Sequence, residues 1–133
     1  MKLFPALSML FFCGLLALIL ASCESSKEPK MEDGFLVCTI ADIVENPADF
    51  HLKKVKVPGV FTYEFENVCI RRNWPNSADK IWLDFSGSVT TLSPEILVSL
   101  KEEKIVVSGI YHMDQKGHLD NYQGTIQCLG ISN

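Results

Sequence analysis

The sequence predicts an all-β domain of five strands with one helix, behind an N-terminal leader and a polar tether. Three observations carry that expectation. The chain has 133 residues, room for one domain. Apolar and polar residues alternate with period two through much of its second half, as in half-buried strands. One helix-start signature, Ser93-Pro94-Glu95, interrupts that pattern.

The leader comes first. After Lys2 the run Leu3 to Leu20 holds no charge, and the small residues Ala21 and Ser22 stand directly before Cys23. A positive start, an apolar middle and a small-residue end make a signal-peptide layout over residues 1–22. An apolar run of about 18 residues is also near the lower limit for a membrane span, but Pro5, Ser8 and Gly14 dilute this one. The tetrapeptide Leu20-Ala21-Ser22-Cys23 resembles the lipobox of bacterial lipoproteins. The resemblance covers the leader alone. It implies cleavage before Cys23, acylation of its thiol and of the new amino group, and an anchor in the lipid bilayer. Several acyl chains, at about 0.8 kcal/mol per buried CH₂, hold far more firmly than one. In Gram-negative lipoproteins an Asp after the cysteine is the usual signal for inner-membrane retention, so Glu24 leans towards the outer membrane, facing the periplasm. Residues 23–34 follow as lipidated cysteine and tether. The segment ESSKEPKMED is too polar to bury the apolar surface that ordering requires.

The domain is expected over residues 35–133. From Lys53, Val55, Val57, Gly59, Phe61, Tyr63 and Phe65 fall on one face, with Lys54, Lys56, Pro58, Thr62, Glu64 and Glu66 mostly on the other. Pro58-Gly59 within that run predicts a bulge or strong bend. Val68 to Arg71 makes a second strand and Lys80 to Phe85 a third, after the turn-rich NWPNSAD. The helix then starts with Ser93 as N-cap and Pro94 at its first position. Ile96, Leu97 and Leu100 give it an apolar side, and Lys101 and Lys104 close it. Ile105 to Met113 and His118 to Leu129 are the last two strands, joined by a turn at Asp114–Gly117.

Strand, strand, strand, helix, strand, strand, with a bent first strand, resembles the OB-fold, a five-stranded Greek-key barrel with this helix placement. The segment IADIVENPADFHLKKVKVPG is also similar to the opening of a recurring class of small exported bacterial domains, with a short helical lead-in, Asn-Pro, an aromatic and Val-x-Val-x-Gly. That resemblance spans most of Thr39 to Ile131. It speaks for a fold and leaves the function to the site.

With Cys13 in the leader and Cys23 given to lipid, the exported domain keeps Cys38, Cys69 and Cys128. An exported compartment permits disulfides, and three thiols allow three pairings. Cys38 with Cys128 is preferred, because VCTI and IQCL are the opening and closing apolar runs of the domain; the alternative is buried unpaired thiols acting as small hydrophobes. No CxxC spacing suggests a redox or zinc site.

Function is less legible. Lys2 lies in the leader, so residues after Cys23 carry 11 basic and 16 acidic side chains, a net charge of −5. Nucleic acid, which wants a basic face, is disfavoured as a partner. The basic and aromatic loop Arg71-Arg72-Asn73-Trp74, with Trp82 nearby, is the expected contact for an envelope protein or glycan, or for an anionic ligand; aromatics beside Arg are frequent interface anchors. In YHMDQKGHLDNY, a tight hairpin would bring His112 near His118 beside Met113, Asp114 and Asp120, donors suited to a transition metal. His118-Leu-Asp-Asn-Tyr122 is similar to the HDENY-type motif of the periplasmic haem chaperone of cytochrome c maturation. That resemblance implies haem held covalently by His118 with Tyr122 supporting its iron. It departs from the family in place: the family's motif lies in a tail after the barrel, whereas here it precedes GTIQCLGI. The preferred reading has no cofactor and no catalysis, since no GxSxG, HExxH or P-loop stands in the chain.

Overall fold

The computed structural model describes residues 28–73, 78–87 and 92–133. It is mostly β-sheet with a few short helices. The elements run β1 (Met31–Glu32), β2 (Phe35–Val37), α1 (Ile40–Glu45), α2 (Pro47–Phe50), β3 (Lys54–Glu64), β4 (Asn67–Arg71), β5 (Lys80–Asp84), α3 (Pro94–Ser99), β6 (Lys104–His112) and β7 (Thr125–Ser132).

Among the described residues the strands form one mixed seven-stranded sheet in the order β1-β2-β3-β4-β5-β7-β6, and β3 also pairs with β6. That last pairing gives the hydrogen bonding a ring-like course through β3, β4, β5, β7 and β6. β3 makes it possible by changing partners along its length. Residues 54–60 lie antiparallel to β6 and residues 60–64 antiparallel to β4. The exchange occurs at Val60, just past the Pro58-Gly59 pair where a bulge or bend was expected. Its register with β6 stays regular there, and the sheet's bulge falls instead at Ser108/Gly109 of β6. β5 and β7 pair in parallel.

Inside this course the period-two pattern delivers its apolar face. Val55, Val57, Phe61, Ile70, Ile81, Leu83, Ile105, Val107, Tyr111 and Ile126 are buried in one core, with Ile40 and Ile43 of α1 closing over it. α1 has a full capping box: the Thr39 hydroxyl accepts from the Asp42 N–H at 3.1 Å, and the Asp42 carboxylate accepts from the Thr39 N–H at 2.7 Å. Such a cap is worth about 1 kcal/mol. Asn46-Pro47 ends α1 and starts α2 with proline at its first turn, where a missing N–H is harmless. In α3 the Ser93 hydroxyl accepts from the Ile96 N–H.

Several expectations are corrected. Met31–Glu32, placed in the tether, pairs with Phe35 and Leu36 through a turn at Asp33 (φ +52) and Gly34 (φ +82). Asp-Gly is a strong two-residue hairpin signal, and it stands in plain view in the sequence. Phe65 lies in the β3–β4 turn and is 92 % exposed. α3 buries Leu97 but leaves Ile96 exposed, and Lys104 opens β6 rather than closing the helix. The largest correction concerns the last hairpin. His118–Asp120 is a short 3₁₀ turn within a long connection, residues 113–124, and β7 begins only at Thr125. Gly117, Leu119 and Asp120 all have positive φ, so the backbone there curls away from a strand and folds the connection back over β5.

The thiols of Cys38, Cys69 and Cys128 are all free and buried in the structure. The preferred Cys38–Cys128 bridge is not formed in it. Cys128 Sγ turns instead to the Gly130 carbonyl at 3.6 Å, and Cys38 is fixed by its own N–H to the Lys56 carbonyl. The leader, Cys23 and Trp74 lie outside the described residues. Among those described, no helix is long and apolar enough to cross a membrane.

Candidate functional site

The change of partners along β3 opens a fork in the sheet. β4 leaves β3 at Val60, and β2 joins β3 in parallel only at Val55 and Lys56. Between them a short stretch of β3 has β6 on one side and, among the described residues, no strand on the other. Phe61 exchanges backbone hydrogen bonds with Glu102 and Glu103 at the β6 side, whereas the Lys56 carbonyl accepts from Cys38 on the β2 side. Backbone groups alternate sides along a strand, so Pro58 turns its nitrogen into the fork. A residue without an N–H is tolerated where no strand pairs, and the fork leaves no orphaned donor at Pro58. Gly59 completes the opening. A Cβ there would stand 2.9 Å from the Ile70 Cβ and 3.1 Å from the Ile40 Cδ1, so only glycine lets α1 and β4 approach so closely.

The result is a cleft of about 580 Å³, inside the range of about 300–1,000 Å³ common to small-molecule sites. Its walls are mostly apolar: Ile40, Pro58, Gly59, Val60, Ile105 and Val106. Its lining also includes the basic residues Arg71, Arg72 and Lys104, whose side chains reach solvent. Arg71 pairs with Glu102, and Arg72 pairs with Asp79 at 2.9 Å. These pairs are partly exposed and so worth at most about 1 kcal/mol each, but they hold the guanidinium groups at the mouth with donors to spare. Lys104 is exposed and has no ion-pair partner among the described residues.

The structure therefore brings Arg71 and Arg72 together at one cleft, as part of the expected site, and separates Trp82 from them. Trp82 is half-buried beneath the 113–124 connection. Its ring meets Tyr122 edge-on at 5.0 Å, and its Cβ would lie 2.7 Å from a Cβ at Gly117. Lys80 Nζ sits 4.5 Å from the Tyr122 ring centroid. The chain's own loop packs over part of Trp82, and Trp74 lies outside the described residues.

The proposed metal and haem ligands are likewise dispersed. His112 lies at the end of β6 opposite Thr125, with its ring edge-on to His51 at 6.4 Å. His118 pairs with Glu66 at 3.2 Å. Tyr122 is buried, and its hydroxyl donates to Asn67 Oδ1 at 2.8 Å; burial raises its pKa. Among the described residues no three His, Cys, Asp or Glu side chains gather as a metal site. A tyrosine buried by its own loop and bonded to an amide does not fit as a support for haem iron. The tight hairpin that would have joined the two histidines is replaced by the long connection.

Sequence reasoning missed most of the cleft. Thr39 to Ala41, Lys104, Ile105 and Val106 carried no functional signal, and Pro58-Gly59 was legible only as a bend. Comparison with protein-family models and with curated proteins finds no match to this chain.

Proposed function

We propose that this chain is an envelope lipoprotein, anchored through acylated Cys23 and acting as a non-catalytic binding or assembly module whose ligand site is the cleft at the β3 fork. The anchor rests on the LASC tetrapeptide at the end of an uncharged run, and Glu24 favours the outer membrane facing the periplasm. The domain reads as an OB-like Greek-key barrel. In support, the ring-like course of β3, β4, β5, β7 and β6, its parallel β5–β7 pairing, and α3 between β5 and β6 in the chain follow the order of that fold. The single observation that carries the binding role is an open apolar cleft with a basic mouth on a chain that is acidic as a whole. With Trp82 partly covered, the cleft takes the place of the tryptophan surface as the contact for an envelope component.

Two measurements test the reading. The mass of the protein extracted from its own membrane in mild detergent should start at Cys23 and include acyl chains; a retained leader would overturn the anchor. A photo-cross-linker at position 104 should give a discrete adduct in cells that Val106→Trp abolishes. If position 104 yields only what the exposed α3 residue 98 yields, the cleft is not the binding surface.

A further inference from the structure

Resting on the reading of the fork cleft as a binding site, we infer that its ligand is a single-chain amphiphile with an anionic head, the chain lying on the apolar floor and the head at the Arg71, Arg72 and Lys104 mouth. The division of the cleft into two chemistries is the first reason. Pro58 and Val106 present hydrocarbon to it, backed by the buried Ile40, Val60 and Ile105, and the basic side chains of its lining reach solvent. A ligand polar throughout would leave that floor uncompensated, and a purely apolar one would leave the rim unused.

The charge at the mouth is the second reason. Among the described residues the ion pairs of Arg71, Arg72 and Lys104 are those with Glu102 and Asp79, which leaves one cation over on a chain of net negative charge. An arriving carboxylate or phosphate completes it, because a guanidinium already bonded on one nitrogen still offers further donors to a second anion.

The third reason separates an amphiphile from a peptide. An extended peptide docking at an open strand pairs its backbone with exposed N–H and C=O groups. At this fork β3 presents Pro58, which has no N–H to give. The floor thus lacks the donor that an added strand would need, and apolar contact with a charged head is the recognition left to it.

The test uses the full chain reconstituted in phosphatidylcholine vesicles, with dodecanoate carrying a diazirine at its methyl end and adducts mapped by mass spectrometry. Labelling should fall in the peptides holding residues 58–60 and 104–106. It should be competed by unlabelled dodecanoate about fivefold better than by decanoate, less than full burial of two CH₂ groups would give because the cleft is open on one side. Lys104→Glu, at an exposed position, should weaken labelling roughly fivefold, and Val106→Trp, which fills the floor, should remove it. A parallel arm carries the diazirine on lysophosphatidylglycerol, a single-chain anionic lipid, held in the vesicle. Labelling from that arm assigns the amphiphile to the bilayer, and labelling from dodecanoate alone assigns it to the soluble pool. Equal labelling by the neutral alcohol dodecanol would overturn the anionic head while leaving the cleft a binding site. No cleft labelling by any probe, with the position-104 adduct still formed in cells, would overturn the amphiphile and point to an acidic peptide. Loss of both would remove the binding role itself.

Discussion

The five residues of β4 serve two regions that differ in one respect. At its far end Arg71 stands at the mouth of an open cleft, and at its near end Asn67 lies under the 113–124 connection, bonded to Tyr122. The covered region holds the residue types usually sought in a binding site: Trp82, Tyr122, Lys80 and His118. They are spent on each other through an edge-on ring pair, a cation over a ring and an ion pair with Glu66. The open region is made of valine, isoleucine, proline and glycine, with cations only at its edge. A site is defined less by the residues present than by which of their capacities remain unsatisfied.

Glycine substitutions should separate the two regions most strongly. Gly124 has φ +133, and a Cβ there would stand 2.4 Å from the Tyr111 ring. Neither backbone nor space admits a side chain, so Gly124→Ala should cost about 3 kcal/mol in urea denaturation. Gly59→Ala meets the Ile70 Cβ, which is fixed, and the tip of Ile40, which can swing. It should cost about 1–2 kcal/mol and narrow the cleft. A larger loss at 59 than at 124 would mean that the cleft is the more rigid region and break the comparison.

Alkaline pH probes what lies between them. Burial pushes the Cys128 thiol up to about 11 and the Cys38 thiol up to about 12 from an ordinary 9.0, and it pushes the Tyr111 hydroxyl up to about 12. An acid whose pKa is raised by folding keeps its proton in the native state and releases it sooner when unfolded. Its contribution is fully present below pH 9 and is lost as the pH rises through 11 to 12. Denaturation midpoints should fall across that window, and Cys128→Ala should make the fall shallower. At pH 8, alkylation should reach Cys69, which shares a cross-strand position with Trp82 under the connection, faster than Cys128, because opening a loop requires less than global unfolding. Equal rates would show that the connection opens only with the whole domain.

Much of the open region was hidden in the sequence for a physical reason. The period-two pattern of β3, β5 and β6 and the Ser-Pro start of α3 are local signals, and local signals fix elements. The fork is a relation among α1, β3, β4 and β6, written only as one proline and one glycine in an otherwise regular strand. The covered region misled for the opposite reason. His112 and His118 sit at hairpin spacing, but three positive-φ residues between Gly117 and Asp120 replace the hairpin with a folded loop, and Leu119 and Asp120 carry no clear sequence mark for that conformation.

Removing one contact of the cover should have a smaller effect. Tyr122→Phe deletes the hydroxyl that donates to Asn67 Oδ1. Asn67 keeps the weaker Cys69 Sγ contact at 3.5 Å, so the loss should be about 1 kcal/mol. Alkylation of Cys69 should quicken while labelling of the cleft stays unchanged. A change in the cleft would couple two regions that the structure keeps apart.

The smallest effect is also the most discriminating, because it predicts opposite signs for one substitution. Thr62, Cys69, Trp82 and Thr125 align across neighbouring strands on the covered face, and both threonines are buried. Thr125 Oγ1 donates to the Gln115 carbonyl at 2.7 Å and so ties down the base of the connection. Thr62 Oγ1 is buried and, among the described residues, has no hydrogen-bond partner beyond a weak contact with the facing Cys69 thiol. A satisfied buried hydroxyl contributes roughly 0.5–1.5 kcal/mol, whereas an unsatisfied one carries a desolvation penalty that a methyl of the same shape does not. Thr125→Val should therefore destabilise by about 1 kcal/mol, and Thr62→Val should be neutral or stabilise by up to about 1 kcal/mol, read as paired midpoint shifts. If Thr62→Val destabilises as much as Thr125→Val, the Thr62 hydroxyl has found a partner. The covered face would then hold polar capacity in use at the one point where the structure leaves it idle.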